Sequence, residues 1–177
     1  MHPLGHMTVA VGTVWIGSRL LGRSSDAARQ MVNRIDYRLV LLGSLLPDLI
    51  DKPLAWFLLH DYLNGNGHTY GHTLLAALVV VLPGLLLAVR WRDPRFLAMG
   101  MAMLSHLAVD PTNHSLENLL WPLLGTEFPQ VTLLGSNMTV LTEAISAMML
   151  LSAGYFLYSR NKLQQFIQEG RIDQSRS

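Results

Sequence analysis

Five stretches of the chain are apolar almost without interruption, about Leu4–Leu21, Leu39–Leu59, His72–Val89, Phe96–Val109 and Met138–Tyr158, and short polar connections separate them. Runs of this kind read as helices that are apolar on nearly every face, where the helices of a soluble domain carry one apolar stripe. A bilayer core takes roughly 20 such residues as a helix. The third and fifth stretches are the strongest. The second is broken by Pro47 and carries Asp48 and Asp51, the fourth is short, and Leu119–Leu124 suggests a shallow extra segment. Pro83 is expected to kink the third helix without ending it, which membranes tolerate. The pattern predicts an all-α fold: a polytopic membrane helical bundle of about five transmembrane helices over residues 1–160, then a polar cytoplasmic tail at 161–177.

Composition sharpens this picture. Half of the 177 residues are hydrophobic and 14% are charged, against about 25% charged in an ordinary soluble chain. A soluble bundle can hold one all-apolar helix, but five with so few charges between them would be unusual. Cysteine is absent, so there is no disulfide framework, no thiolate nucleophile and no thiolate metal site. Any transition metal must sit among His, Asp and Glu. No basic stripe with interleaved aromatic residues occurs, which argues against nucleic-acid binding. The lipid bilayer is the expected partner.

The placement of charge predicts a topology, because short cytoplasmic loops accumulate Lys and Arg. Arg19, Arg23, Arg29, Arg34 and Arg38 lie between the first two stretches, Arg90, Arg92 and Arg95 between the third and fourth, and Arg160, Lys162, Arg171 and Arg176 after the fifth. Of the 13 basic residues, only Lys52 falls in the alternate set of connections. The amino terminus is then outside and the carboxyl terminus inside, in a multi-pass membrane protein. The first stretch lacks a basic leading region and a small-x-small cleavage site, so it reads as a retained helix.

On that topology the ionisable residues gather at one depth. Of His6, Asp48, Asp51, His68, His72, His106, Asp110 and Glu143, most fall within the outer half of the bilayer at 1.5 Å per helical residue. The orientation came from Arg and Lys alone, so the convergence is independent of it. A lone His or Asp in a membrane helix can simply hydrogen-bond to a neighbour. Several together are costly at membrane depth unless paired, and they usually mark function. His68–His72 and His106–Asp110 are both i,i+4 pairs, which share a face if helical. Imidazole with carboxylate is the ligand chemistry of zinc, with manganese or iron as alternatives. Ser105 lacks the setting of a nucleophile elbow. His2 and His60 read as solvated or interfacial, His114 and Glu117 as candidates for a supporting role, and Trp121 as an interfacial belt residue.

The order of these motifs resembles the bacterial inner-membrane metal-dependent hydrolases. That family carries an early His, then L-P-D-x-D, G-H-R-x-x-T-H-S, S-H-x-x-x-D and a W-P pair. Here they stand as "LGHMTVA", "LLPDLID", "GHTYGHTLLA", "LSHLAVDPT" and "LLWP". Asp51 comes one residue late, and the histidine block is one residue shorter, with Thr69 for Arg and Gly71 before the second His. His72 is therefore the closer match of the two histidines. The resemblance implies a metal-dependent hydrolase located in the cell inner (plasma) membrane.

With the residues themselves, it points to a divalent ion, best zinc, held among His6, Asp48, His68, His72, His106 and Asp110. Asp51 or Glu143 would act as general base or orient a ligand imidazole. A site in the outer half of the bilayer favours a lipid or lipid-linked ester or phosphoester. The alternative is a non-enzymatic membrane protein with a structural or transported metal ion. Transport is the weaker form of that alternative, because the inner halves of the stretches are nearly free of ionisable groups.

Overall fold

The computed structural model describes residues 3–59, 63, 66–110, 116–128 and 136–171. His2, His60 and His114 lie outside the described residues. Among those described there is no strand. The long helices are α1 (Pro3–Gly22), α3 (Tyr37–Pro53), α4 (Leu74–Trp91), α5 (Arg95–Val109) and α7 (Ser136–Ser159). Short helices α2 (Asp26–Val32), α6 (Leu116–Leu119) and α8 (Leu163–Glu169) join or follow them. A π-helical turn at Leu54–Leu58 extends α3, and a 3-10 turn at Tyr70–His72 precedes α4. Each apolar stretch of the sequence is thus a helix, and α4 runs on through Pro83.

Polar side chains start the helices. Ser25, Asp36 and Thr73 each accept a bond from a backbone N–H of the first turn of α2, α3 and α4, which satisfies donors that the helix itself leaves open. Among the described residues two segments, Leu74–Trp91 and Val140–Ser159, are long and apolar enough to cross a membrane, and α5 is a shorter apolar helix. The sequence pattern had suggested about five. In α1 and α3 the polar residues His6, Ser18, Ser44, Asp48 and Asp51 are buried while Trp15, Ile16, Leu42 and Leu49 are exposed. Polar groups drawn inward lower the mean hydropathy of these two helices, although their outer surfaces remain apolar.

Helix α5 is central, packing against α1, α3 and α4, while α7 lies along α1. Close approach around α5 depends on glycine. A Cβ on Gly43 of α3 would collide with the Met99 carbonyl, one on Gly84 of α4 would stand 2.6 Å from the Leu97 nitrogen, and one on Gly100 would stand 2.7 Å from Val81 Cγ2. Small residues of this kind let membrane helices gain dispersion contacts where lipid supplies no hydrophobic drive. Ala10, Val14, Tyr37, Val40, Ala98 and Ala102 fill the space between α1, α3 and α5. Ala77, Met103 and Leu107 fill that between α4 and α5.

The basic connections meet at one end of this bundle. Arg34 donates to the Arg92 carbonyl at 3.4 Å, and Arg38 donates to the carbonyls of Ile167 and Gln168 at 3.0 and 2.9 Å. The Tyr37 N–H bonds the Gly170 carbonyl at 2.7 Å, which pins α8 beneath α3. Hydrogen bonds from Arg38 hold the Asp36 carboxyl below its ordinary pKa, so this corner keeps its charge pairing at neutral pH. Histidines and buried carboxylates occupy the opposite ends of α1, α3 and α5.

The glycine contacts are testable. Gly43→Ala forces a methyl group against the Met99 backbone and should destabilise the protein by about 1–3 kcal/mol. Gly12→Ala, where a Cβ meets nothing within 4 Å, should be neutral or stabilising by up to about 1 kcal/mol. Thermal midpoints in detergent read both, and equal midpoints would show that α3 does not need this approach.

Candidate metal centre

One carboxylate organises the local backbone. Asp51, on the last turn of α3, is fully buried. It accepts the N–H groups of Thr69 at 2.6 Å, Gly71 at 2.7 Å and His72 at 3.2 Å, and it meets His72 Nδ1 at 2.7 Å. A carboxylate satisfied by several N–H donors compensates for its desolvation. Gly71 is required here: a Cβ would stand 2.7 Å from the Pro47 carbonyl oxygen and 3.2 Å from Asp51 Oδ1. Residues 69–72 therefore fold directly onto α3, and Thr73 caps α4 immediately afterwards.

This arrangement fixes two imidazoles. Asp51 accepts at His72 Nδ1, and the Ser44 carbonyl accepts at His106 Nδ1 at 2.6 Å. Both Nδ1 atoms must carry the proton, which leaves each neutral ring with its lone pair at Nε2. The two Nε2 atoms face each other at 3.2 Å. Asp48 Oδ1 and Asp110 Oδ2 stand 3.6 and 3.5 Å from His72 Nε2, and His68 Nε2 stands 3.5 Å from Asp110 Oδ2. Lone pairs and anionic oxygens converging in a buried space repel one another unless a cation sits among them. Four donors around zinc at ~2.0–2.1 Å stand about 3.3 Å apart in tetrahedral geometry. The 3.2–3.6 Å separations measured from His72 Nε2 lie close to that edge length, with Asp48 outside the group formed by His72, His106 and Asp110.

Among the described residues two overlapping triads form the centre, Asp48–His68–His72 and His72–His106–Asp110, with ligand atoms within 4.8 Å of one another in each. The second triad is buried, while His68 is 19% exposed and forms the open side. His6 lies behind the donors, stacked on His106 with ring centroids 3.7 Å apart, and outside both triads. Glu143 accepts from the Gly5 N–H at 3.0 Å and so anchors the start of α1 beside His6. It too lies outside the triads.

The i,i+4 spacing names the right neighbours along a different backbone path from the one expected. His68 is in a bend, His72 ends a 3-10 turn, and Asp110 is the extended C-cap of α5. The His68 and His72 rings still meet edge to face with centroids 4.5 Å apart. Glu117 is exposed, whereas its neighbour Asn118 is buried and donates to the His68 carbonyl at 3.2 Å. Trp121 packs with Tyr70 and Phe128 into an aromatic cluster beside the turn.

Two contributors escaped the sequence. Ser44 acts through its carbonyl, which no side-chain pattern reveals. Lys52 bonds Asp48 Oδ2 at 2.8 Å, and its i,i+4 position after Asp48 was a signal available in the chain.

If Asp51 organises the turn, Asp51→Asn should be destabilising even with metal removed by a chelator. One oxygen becomes an N–H₂ facing backbone donors, at a cost of about 3 kcal/mol. Thermal unfolding in excess EDTA measures it, and a midpoint equal to wild type would assign Asp51 no structural part.

No curated protein and no solved structure is significantly similar to the chain. The family described as YdjM inner membrane protein matches residues 1–167. With nearly the whole chain covered, and with buried polar groups inside an apolar exterior, the protein belongs to the YdjM inner membrane protein family.

Proposed function

We propose that the protein is a membrane-bound metal-dependent hydrolase whose site opens toward the outer leaflet and acts on a lipid or lipid-linked ester or phosphoester. The observation that carries this reading is the pair of Nε2 lone pairs, each fixed by an acceptor at Nδ1, meeting at 3.2 Å beside Asp48 and Asp110. The donor set suits zinc, with manganese or iron as alternatives. A divalent ion bound there would acidify a water and polarise a phosphoryl or acyl oxygen. His72, His106 and Asp110 would hold such an ion, with Asp48 and His68 beside them in the second, overlapping group around His72. Asp51 is a positioning residue that fixes the His72 ring. Glu143 takes the role of general base, with its second oxygen as proton acceptor, and His6 supports His106 by stacking.

A lipid substrate fits the surroundings. Trp56, Phe57 and Leu58, on the π-turn that follows Asp51, are all exposed, as are Leu123 and Leu124. An apolar rim around a polar floor suits a molecule with an acyl tail and a polar head. The bundle would cross the membrane five times, amino terminus outside and the 161–177 tail in the cytoplasm. The contact between Arg34 and Arg92, and that between Arg38 and α8, support a common side for the basic connections. Burial of His72 and His106 also suits a structural ion, the second reading.

Three measurements separate these possibilities. His72→Ala, His106→Ala and Asp110→Ala should each lower bound metal severalfold by elemental analysis, with Asp26→Ala near wild type; equal metal in all would refute the ligand set. Glu143→Gln should keep its metal and lose most hydrolysis of ester or phosphodiester lipid analogues. A metal-loaded wild type inert across that panel selects the structural ion instead. A cysteine at Glu127 should react with an impermeant thiol reagent from outside and one at Asp26 should not, and the opposite pattern reverses the orientation.

A further inference from the structure

The first helix arrives at the basic end of the bundle with two arginines beside a groove. Arg19 is in the last turn of α1, and Arg23 follows directly after the helix. With Trp15, Ile16 and Leu20 they line a groove of about 290 Å³ on the surface of α1. The three apolar side chains are exposed. The Arg19 guanidinium stands 5.1 Å from the centre of the Trp15 ring, a cation–π contact that holds it against the helix. At 1.5 Å per residue Arg19 lies about 6 Å nearer the middle of the bundle than Arg23.

Neither guanidinium is matched by an acid of the protein. Among the described residues the ion pairs of this end join Arg29 to Asp26, Arg38 to Asp36 and Arg95 to Asp93, and none reaches Arg19 or Arg23. Arg19 Nε is buried and has no hydrogen-bond partner among those residues. A buried donor normally finds one, and for a cation among apolar side chains the partner that suits it is an anion. Segments 19–38, 90–95 and 160–177 together hold 12 Lys and Arg against 5 Asp and Glu. Pairing every acid there would still leave cations over.

The surroundings say where the anion comes from. In a member of an inner membrane protein family, a helix surface that shows Trp, Ile and Leu meets lipid. Trp and Arg side by side mark the boundary between hydrocarbon and headgroups, where an apolar stem stays in the chain region and the charged tip reaches the phosphates. Guanidinium forks match phosphate oxygens bidentately. Ile16 and Leu20 continue the groove toward the middle of the bundle, the direction an acyl chain takes below its headgroup. A zwitterionic headgroup adds an ammonium that two adjacent arginines repel, whereas an anionic headgroup adds none.

We infer that Arg19 and Arg23 form a binding site for an anionic phospholipid, its phosphate held by the two guanidinium groups and an acyl chain lying along Trp15, Ile16 and Leu20. The site stands at the opposite end of the bundle from the His/Asp cluster and does not rest on the metal-centre reading. On the topology proposed above it takes its lipid from the cytoplasmic leaflet.

Native mass spectrometry tests this directly by counting lipids bound to the full-length protein. The protein is equilibrated in detergent with dioleoyl phosphatidylglycerol or with dioleoyl phosphatidylcholine, and wild type should retain the former in preference. The double variant Arg19→Gln, Arg23→Gln should bind phosphatidylglycerol at least about tenfold more weakly. Arg29→Gln with Arg95→Gln removes the same charge from the same end, at exposed positions already paired with acids, and should stay within about threefold of wild type. An equal loss in that control would show diffuse attraction and overturn the site. Equal retention of the two lipids by wild type would overturn it as well, and that comparison needs no variant to fold. Displacement of the bound lipid by millimolar inorganic phosphate would remove the phospholipid as occupant and leave a site for small anions.

Discussion

A buried carboxylate that cannot be left alone governs the histidine end of this molecule. Asp51 has no access to solvent, and an unpaired anion there would cost several kcal/mol. The chain answers by turning residues 69–72 back onto α3, so that backbone N–H groups supply the compensation. That turn in turn sets the direction of the His72 ring, the first residue of α4 and the position of His68. Much of the proposed chemistry is downstream of this one desolvated group.

Much of this was legible in the chain. Helices appeared wherever apolar runs did, because in such runs hydrogen bonding inside the segment is the way to satisfy the backbone. Asp48, His72, His106 and Asp110 stood out because ionisable groups are rare in apolar surroundings. The illegible part was directional. Asp51 looked as able to accept a proton as to orient a ring, and its four N–H partners come from residues 18 to 21 positions away, a fold-back that periodicity does not reveal. The stacking of His6 on His106 belongs to the same class, since the two residues are 100 positions apart and meet only once α1 packs on α5. Lys52 was read only as an exception to a charge count. Its meaning emerged from geometry.

The two ends of the bundle use charge in opposite ways. At one, arginines bind backbone carbonyls and a helix terminus, where water and neighbouring acids keep the interaction modest. At the other, imidazoles and carboxylates are withdrawn from water and must be balanced among themselves. Tethers join the first end across α2, α4 and α8, while at the second the turn that follows Asp51 leaves Trp56, Phe57 and Leu58 exposed.

The glycine seating of α5 has a consequence for the accuracy of the centre. His106 and Asp110 both leave the same end of that helix, and its other end is wedged against Gly43 and Gly84. A slip of one helical turn is about 5.4 Å, larger than the 3.2–3.6 Å separations among the donor atoms. Axial register, set far from the His/Asp cluster, therefore serves as the ruler for the spacing of the donor atoms. A bilayer that thickens or thins would tilt such a bundle as a rigid body and leave the calibration of the donors intact.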